Sequence, residues 1–188
     1  LEGWSTIAGI FLTFDAPIDT STLPSTVEET MSDENGWSSV FLIDIDPDSP
    51  ERGKLFPIEC QFNTYGGRLR VANQLGCKSP FGIVRRSNTR YAFVITNKVR
   101  AADGEEIGVG EAMTKLLAGE DVQGKDRMIS AAPYTEALEY LAQLGLGRED
   151  VAALTLFTTG DPTARLKRVH DFYDTLPTPV KGVYAEAY

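Results

Sequence analysis

Three acidic residues alternate in the run Asp44-x-Asp46-x-Asp48, with Glu51 shortly after it. Closely spaced carboxylates supply the oxygen ligands that calcium prefers, so these residues are candidate calcium ligands. An EF-hand loop would also need glycine at its sixth position and glutamate at its twelfth, where this chain has serine and leucine. Two prolines in the run favour a rigid turn whose aspartates accept backbone hydrogen bonds. We therefore predict a structural turn, with calcium binding as the alternative.

The second chemistry to consider is nucleophilic hydrolysis, for which the chain offers one histidine, His170, beside Asp171. A serine hydrolase needs a histidine, an acid and a nucleophile, commonly in a G-x-S-x-G turn, and that pattern does not occur. The histidine falls in a predicted helix. We expect a surface helical residue there, and no catalytic residue, cofactor or metal in this chain. A small hydrolase that uses His170 remains an alternative.

Aromatic side chains provide a third possibility, because their faces can stack on sugar rings. The candidates are Trp4, Trp37, Tyr65, Tyr184 and Tyr188. Isolated aromatic residues of a β protein more often belong to its core or rim. Polysaccharide binding or surface adhesion is therefore an alternative function.

Cys60 and Cys77 are the two cysteines of the chain. One pair is compatible with a disulfide or with two buried thiols. We favour the disulfide, which would contribute about 3 kcal/mol in the chain-entropy description. A disulfide would also place the protein in an oxidising compartment.

The composition is that of a globular protein, with 188 residues of which 42% are hydrophobic and 24% charged. A chain of this length buries enough apolar surface to fold without a metal. Its 27 acidic and 18 basic residues give a net charge of -9, which disfavours binding to nucleic acid phosphates. No apolar run reaches the roughly 20 residues of a membrane-spanning helix, so we expect no membrane span.

Residues with these roles must be positioned by the predicted elements, which are mainly strands. Short apolar and β-branched segments separated by turn residues indicate an antiparallel β fold. Strands are predicted at 10–14, 40–45, 55–62, 89–96 and 151–159. The polar segments 25–36 and 120–127 are predicted to be exposed loops.

Helical periodicity appears only in the last third of the chain. Helices are predicted at about 110–118, 134–145 and 162–175, with Gly145 just past the end of the second. Residues 177–188 have the proline, glycine and small-residue composition of a linker or tail. We predict one domain over residues 1–176, with two inserted helices and a closing helix.

Three segments carry a resemblance to a known family. They are FDAPID at 14–19, LIDIDP at 42–47, and TRYAFVITNKVR at 89–100 with Asp103-Gly104 after it. These phrases resemble those of bacterial Ig-like (Big-type) domains, the modules of secreted and surface-layer proteins. The resemblance implies a mainly β fold, an Ig-like antiparallel β-sandwich with helical insertions and a C-terminal helix.

The segment 134–166, including FTTGDPT at 157–163, is similar to the N-terminal region of large secreted bacterial lipase or esterase-like proteins. An α/β-hydrolase domain follows that region in those proteins. The resemblance implies a non-catalytic accessory module, secreted or in the cell envelope, whose partner is a neighbouring domain of the same polypeptide. That domain would be an α/β-hydrolase.

Overall fold

The computed structural model describes residues 3–32, 36–68 and 71–176. The strands of these residues are β1 Ile10–Thr13, β2 Val40–Asp44, β3 Leu55–Phe56, β4 Glu59–Asn63, β5 Gln74–Lys78, β6 Arg90–Thr96, β7 Val122–Gln123, β8 Met128–Ile129 and β9 Val151–Thr158. Their helices are α1 Val27–Met31, α2 Glu111–Leu117, α3 Ala132–Gln143 and α4 Ala164–Thr175. The fold is mainly β with a few helices, as predicted.

The strands form two larger antiparallel sheets and one small hairpin. The first sheet has three strands in the order β1-β5-β4, and the second has four in the order β3-β2-β6-β9. Strands β7 and β8 pair only with each other. The chain crosses between the larger sheets at Pro57 and Ile58, since β3 pairs with β2 whereas β4 pairs with β5.

The four-stranded sheet is buried on both faces. All five residues of β2 are buried, as are Tyr91–Thr96 of β6. Alternate residues of a strand point to opposite faces, so these two strands feed two separate cores. The inter-sheet core contains Ile18, Val40, Leu42, Ile58, Leu75, Cys77, Tyr91, Phe93, Ile95 and Val99. The helix-side core contains Phe41, Ile43, Ile45, Ala92, Val94, Ala137, Leu138, Leu141, Leu146, Val151 and Leu154.

The inter-sheet core joins the two sheets, because Leu75 and Cys77 of β5 pack with residues of β2 and β6. The helix-side core adds a third layer, in which α3 covers the other face of the four-stranded sheet. From the sequence we predicted two stacked sheets with a single core between them. The sequence signal for the second core is the apolar residue at every position from Val40 to Ile43. Such an uninterrupted run is typical of a strand that is covered on both faces.

Most predicted elements are confirmed. The strands at 10–14, 40–45, 89–96 and 151–159 and all three helices are present, and Gly145 follows α3 with φ of +92°. Only Leu55–Phe56 of the predicted 55–62 strand returns beside β2. Two loop predictions were wrong, because 25–36 contains α1 and 120–127 contains β7. The predicted tail at 177–188 lies outside the described residues.

Helix α1 forms because its first turn is capped from both sides. Thr26 Oγ1 accepts a hydrogen bond from the Glu29 amide at 3.3 Å, and the Glu29 carboxylate accepts from the Ser25 amide at 2.6 Å. The bonds from Ser25 hold the pKa of Glu29 below its usual value. Thr-x-x-Glu is a capping signal, so this helix start was readable from the sequence.

The predicted disulfide between Cys60 and Cys77 is confirmed. The two residues lie directly opposite each other in the antiparallel pair β4–β5, with a Cα–Cα distance of 4.2 Å. Cys77 belongs to the inter-sheet core and Cys60 packs against it. The bond therefore fixes the register of β4 on β5.

Loss of the disulfide should lower the free energy of unfolding by about 3 kcal/mol, since the closed loop spans a sequence separation of 17 residues. Urea unfolding of the Cys60→Ala/Cys77→Ala variant measures this change. Wild-type protein unfolded with a reductant should show a similar loss. Equal midpoints for oxidised and reduced wild-type protein would contradict the prediction.

Truncation of the helix-side core should be costly. Leu141 is fully buried, so Leu141→Ala should remove about 2–5 kcal/mol from the free energy of unfolding. The matched control is Leu166→Ala, the same change at a helical residue that is 71% exposed, which should cost no more than about 0.5 kcal/mol. Urea denaturation compares the two. Similar losses for both variants would show that α3 does not form a core layer.

Candidate functional site

The aspartates after β2 are hydrogen-bond acceptors that shape a turn. Asp44 Oδ1 accepts from the Asp46 amide at 2.9 Å, and its Oδ2 accepts from Ser49 Oγ at 2.6 Å. Asp46 Oδ1 accepts from the Asp48 amide at 3.0 Å, while its Oδ2 accepts from the Arg90 amide at 2.8 Å. These bonds are those that the turn interpretation predicts. The bond from the Arg90 amide also attaches the turn to the start of β6.

The same carboxylates do not converge on a common point. Within residues 3–32, 36–68 and 71–176, no three His, Cys, Asp or Glu side chains lie where they could hold a metal ion. Glu51, the fourth acidic residue of the run, instead pairs with Lys54 at 3.6 Å and with Arg86 at 3.5 Å. The geometry thus supports a turn held by hydrogen bonds.

His170 lies on α4, as predicted, with 73% of its side chain exposed. Its Nδ1 is 3.2 Å from Asp174 Oδ2 and 3.8 Å from Asp171 Oδ1, and both acids belong to the same helix. In the described part of the chain, no serine hydroxyl lies within hydrogen-bond distance of the imidazole. The structure brings the histidine together with acids and not with a nucleophile.

The aromatic residues singled out in the sequence do not form one cluster. Trp37 stacks on Phe41 with ring centroids 4.8 Å apart and packs against the helix-side core. Trp4 is 64% exposed and its backbone bonds to residues of and after β9, whereas Tyr65 is 87% exposed in the loop after β4. Tyr184 and Tyr188 lie outside the described residues.

Helix α4 exposes several large apolar side chains. None of its residues is buried. Its exposed apolar side chains fall at helical spacing along one face. This α4 apolar face consists of Leu166, Val169, Phe172, Tyr173 and Leu176, which are 42–71% exposed. Lys167, Asp171 and Asp174 lie on the opposite side, and His170 borders the apolar face, four residues after Leu166. An amphipathic helix of this kind normally packs its apolar face against another element.

The sequence of α4 gives it little helical stability of its own. The helix has 12 residues, no acidic side chain in its first turn and no basic one in its last. Helices of this length are marginal in water, and a favourable charge distribution would place acids at the start and bases at the end. Here the bases Arg165, Lys167 and Arg168 come first and the acids follow. Packing of the α4 apolar face is what would stabilise it.

Asp161 provides the main local support for the start of α4. Its Oδ1 accepts from the Thr163 hydroxyl at 2.6 Å and from the Thr163 amide at 2.8 Å. Lys167 Nζ donates to Oδ2 at 3.3 Å. These bonds lower the pKa of Asp161 below its usual value, and the bond from the Thr163 hydroxyl has the largest effect. The predicted helix start at Asp161-Pro162 is therefore two to three residues early, since α4 begins at Ala164.

No protein-family model matches this chain, and no curated protein matches it either. The geometry of the chain is thus the basis for any functional assignment. Every helix in the described ranges is too short or too polar to cross a lipid bilayer.

Removal of the Asp46 carboxylate distinguishes the turn from a calcium site. Asp46→Ala leaves the Asp48 and Arg90 amides without their acceptor, so it should lower the free energy of unfolding by about 1–3 kcal/mol, with or without calcium. Asp48→Ala is the control, an exposed carboxylate in the same run that should change stability by less than about 0.5 kcal/mol. Melting temperatures measured in EDTA and in millimolar calcium give the comparison. A calcium-dependent rise in the wild-type melting temperature that Asp48→Ala abolishes would contradict the turn interpretation.

Proposed function

We propose that this chain is a non-catalytic Ig-like accessory module of a secreted bacterial multidomain protein, of the lipase or esterase-like class. In this proposal α4 docks the module onto a neighbouring domain of the same polypeptide. The observation that carries the proposal is the α4 apolar face, which no described residue covers.

Strand order supports the Ig-like part of the proposal. An Ig sandwich places strands B, E and D in one sheet and strands C, F and G in the other, with C′ added beside C in variable-type domains. The sheet β1-β5-β4 corresponds to B-E-D, and the sheet β3-β2-β6-β9 corresponds to C′-C-F-G. Apart from strand A, which has no counterpart among the described strands, both sheets have the neighbours of this topology.

Tyr91, in the second position of β6, offers a second line of support. Ig-type domains place a buried tyrosine near the start of strand F, where its hydroxyl bonds to backbone a few residues upstream. Here the Tyr91 side chain is 2% exposed, and its hydroxyl accepts a hydrogen bond from the Arg86 amide at 3.1 Å. Burial raises the pKa of Tyr91 above its usual value.

The chain departs from antibody-type domains at the disulfide. Their bridge joins strands B and F across the two sheets, with the second cysteine two residues after the tyrosine. Phe93 occupies that position here, and the bridge instead joins the adjacent strands β4 and β5. A disulfide within one sheet leaves the two sheets without a covalent link to each other.

The helical additions occupy one connection of the proposed Ig topology. Helices α2 and α3 lie between β6 and β9, the F–G connection, and α3 covers the outer face of the sheet that contains C, F and G. In this arrangement that sheet face is no longer available to a partner. Helix α4 follows β9 and remains uncovered, so it is the helix that we assign to docking.

The disulfide supports a secreted or cell-envelope location, because such bonds persist in oxidising compartments. A neighbouring domain of the same polypeptide is the partner that the sequence resemblance implies. An apolar groove on that domain, acidic where it meets the start of α4, would match the helix in both polarity and charge.

Hydrogen exchange of α4 in the full polypeptide tests docking. The open reading frame that contains this segment is expressed, and amide exchange of residues 164–175 is followed by mass spectrometry. In wild-type protein these amides should exchange roughly tenfold more slowly than in the Leu166→Ser/Val169→Ser/Tyr173→Ser variant, because the variant removes the apolar contact. The control is Asp171→Ser/Asp174→Ser on the opposite face, which should leave the protection in place.

Unprotected α4 amides in the wild-type polypeptide would contradict the proposal, as would protection that rises with protein concentration and so comes from a second copy. Hydrolysis of p-nitrophenyl esters by residues 1–188 alone, lost in His170→Ala, would contradict the non-catalytic assignment and favour the small-hydrolase alternative.

A further inference from the structure

A groove crosses the outer face of the three-stranded sheet, on the side away from the inter-sheet core. Its volume is about 790 Å³. The outward residues of the three strands line it in rows, because the registers of β1, β5 and β4 coincide. One row is Phe11, Gly76 and Gln61, and the next is Thr13, Gln74 and Asn63. The row at the other end contains Lys78 and Glu59.

Phe11 supplies an exposed aromatic surface at the centre of this groove. Its side chain is 66% exposed and extends from β1, an edge strand of the sheet. The ring rests against Gly76 of the neighbouring strand, where an added Cβ atom would lie 3.0 Å from Cε1 of Phe11. Glycine at this position thus allows the ring to pack against the backbone of the neighbouring strand. One apolar edge of a ligand could pack there.

Uncharged amide side chains line the same groove as the ring. The side chains of Gln61 and Gln74 make no hydrogen bond to the described part of the chain, and each amide offers donors as well as an acceptor. Neighbouring hydroxyl groups of a sugar offer the same combination. An aromatic surface flanked by free amides therefore matches a pyranose ring, which has apolar faces and a hydroxylated rim.

The charges at the groove argue for a neutral ligand. Lys78 and Glu59 neutralise each other, with Nζ and Oε2 3.6 Å apart, and Lys78 also lies 4.6 Å from the ring centre of Phe81. The central rows carry no ionisable group. A polymer with carboxylate or sulfate groups would find no free cation in these rows, so an uncharged chain is the better complement.

We propose that this groove, defined by Phe11, Gln61 and Gln74, binds a neutral polysaccharide. It is open and extends roughly 13 Å along β4 from Glu59 to Asn63, which suits a short stretch of an extended polymer better than an enclosed small molecule. The site is independent of α4. It would let the module hold a glycan surface while α4 engages a neighbouring domain.

Depletion assays with suspended polysaccharides test the proposal on the whole chain. Microcrystalline cellulose, insoluble xylan and starch are the neutral probes, and polygalacturonate and heparin beads are the anionic ones. Wild-type protein should bind at least one neutral polymer and neither anionic one. Phe11→Ala and Gln61→Ala/Gln74→Ala should each weaken that binding roughly tenfold, the effect of losing about 1.4 kcal/mol of contact.

Phe172→Ala is the matched control, since it removes an aromatic ring of similar exposure, 60%, from α4. It should leave polysaccharide binding unchanged, so that failure of this inference and failure of α4 docking can be told apart. Because Phe11 also shields Gly76, circular dichroism must show that the Phe11 variant is folded. If it is not, the double glutamine variant decides.

Retention on none of the neutral polymers would overturn the inference. Binding that survives both groove variants, or that occurs only on the anionic polymers, would overturn it as well.

Discussion

The whole architecture depends on burying β2 and β6 on both faces. Val40, Leu42 and Phe93 need one apolar cover, and Phe41, Ile43 and Val94 need another, because alternate side chains of a strand point in opposite directions. The three-stranded sheet provides the first cover and α3 the second. With either layer removed, a complete row of large apolar side chains would be exposed to water.

That constraint also decides which surfaces remain free for function. The four-stranded sheet is committed on both sides, so its faces are structural. Two of the surfaces left outside are the outer face of the three-stranded sheet and the helix after β9. The first presents an aromatic ring among uncharged amides, and the second presents an apolar stripe. The two surfaces have different chemistry, which is why we assign them different partners.

Much of the local structure was predictable from the sequence. The β-branched and aromatic runs at 40–45 and 89–96 gave the central strands, and Gly145 gave the end of α3. Strand β5 was missed because it is short and has a glycine at its centre, and glycine is unfavourable in a strand. Its pairing with both β1 and β4 is a long-range effect that no local pattern contains. The turn at Asp44–Asp48 was predictable because its hydrogen bonds are mostly local.

The sequence by itself determined which residues share a face of each element, since that follows from periods of two in strands and 3.6 in helices. The amphipathic α4 follows from these periods and the acidic turn from its local composition, whereas the sequence left open whether the two cysteines pair. Only the tertiary structure decided which of those faces is covered. Phe11, Gln61 and Gln74 come from strands far apart in the chain, and register alone places them in one groove. The α4 apolar face is likewise visible in the sequence, but its lack of a covering element depends on where all the other layers pack.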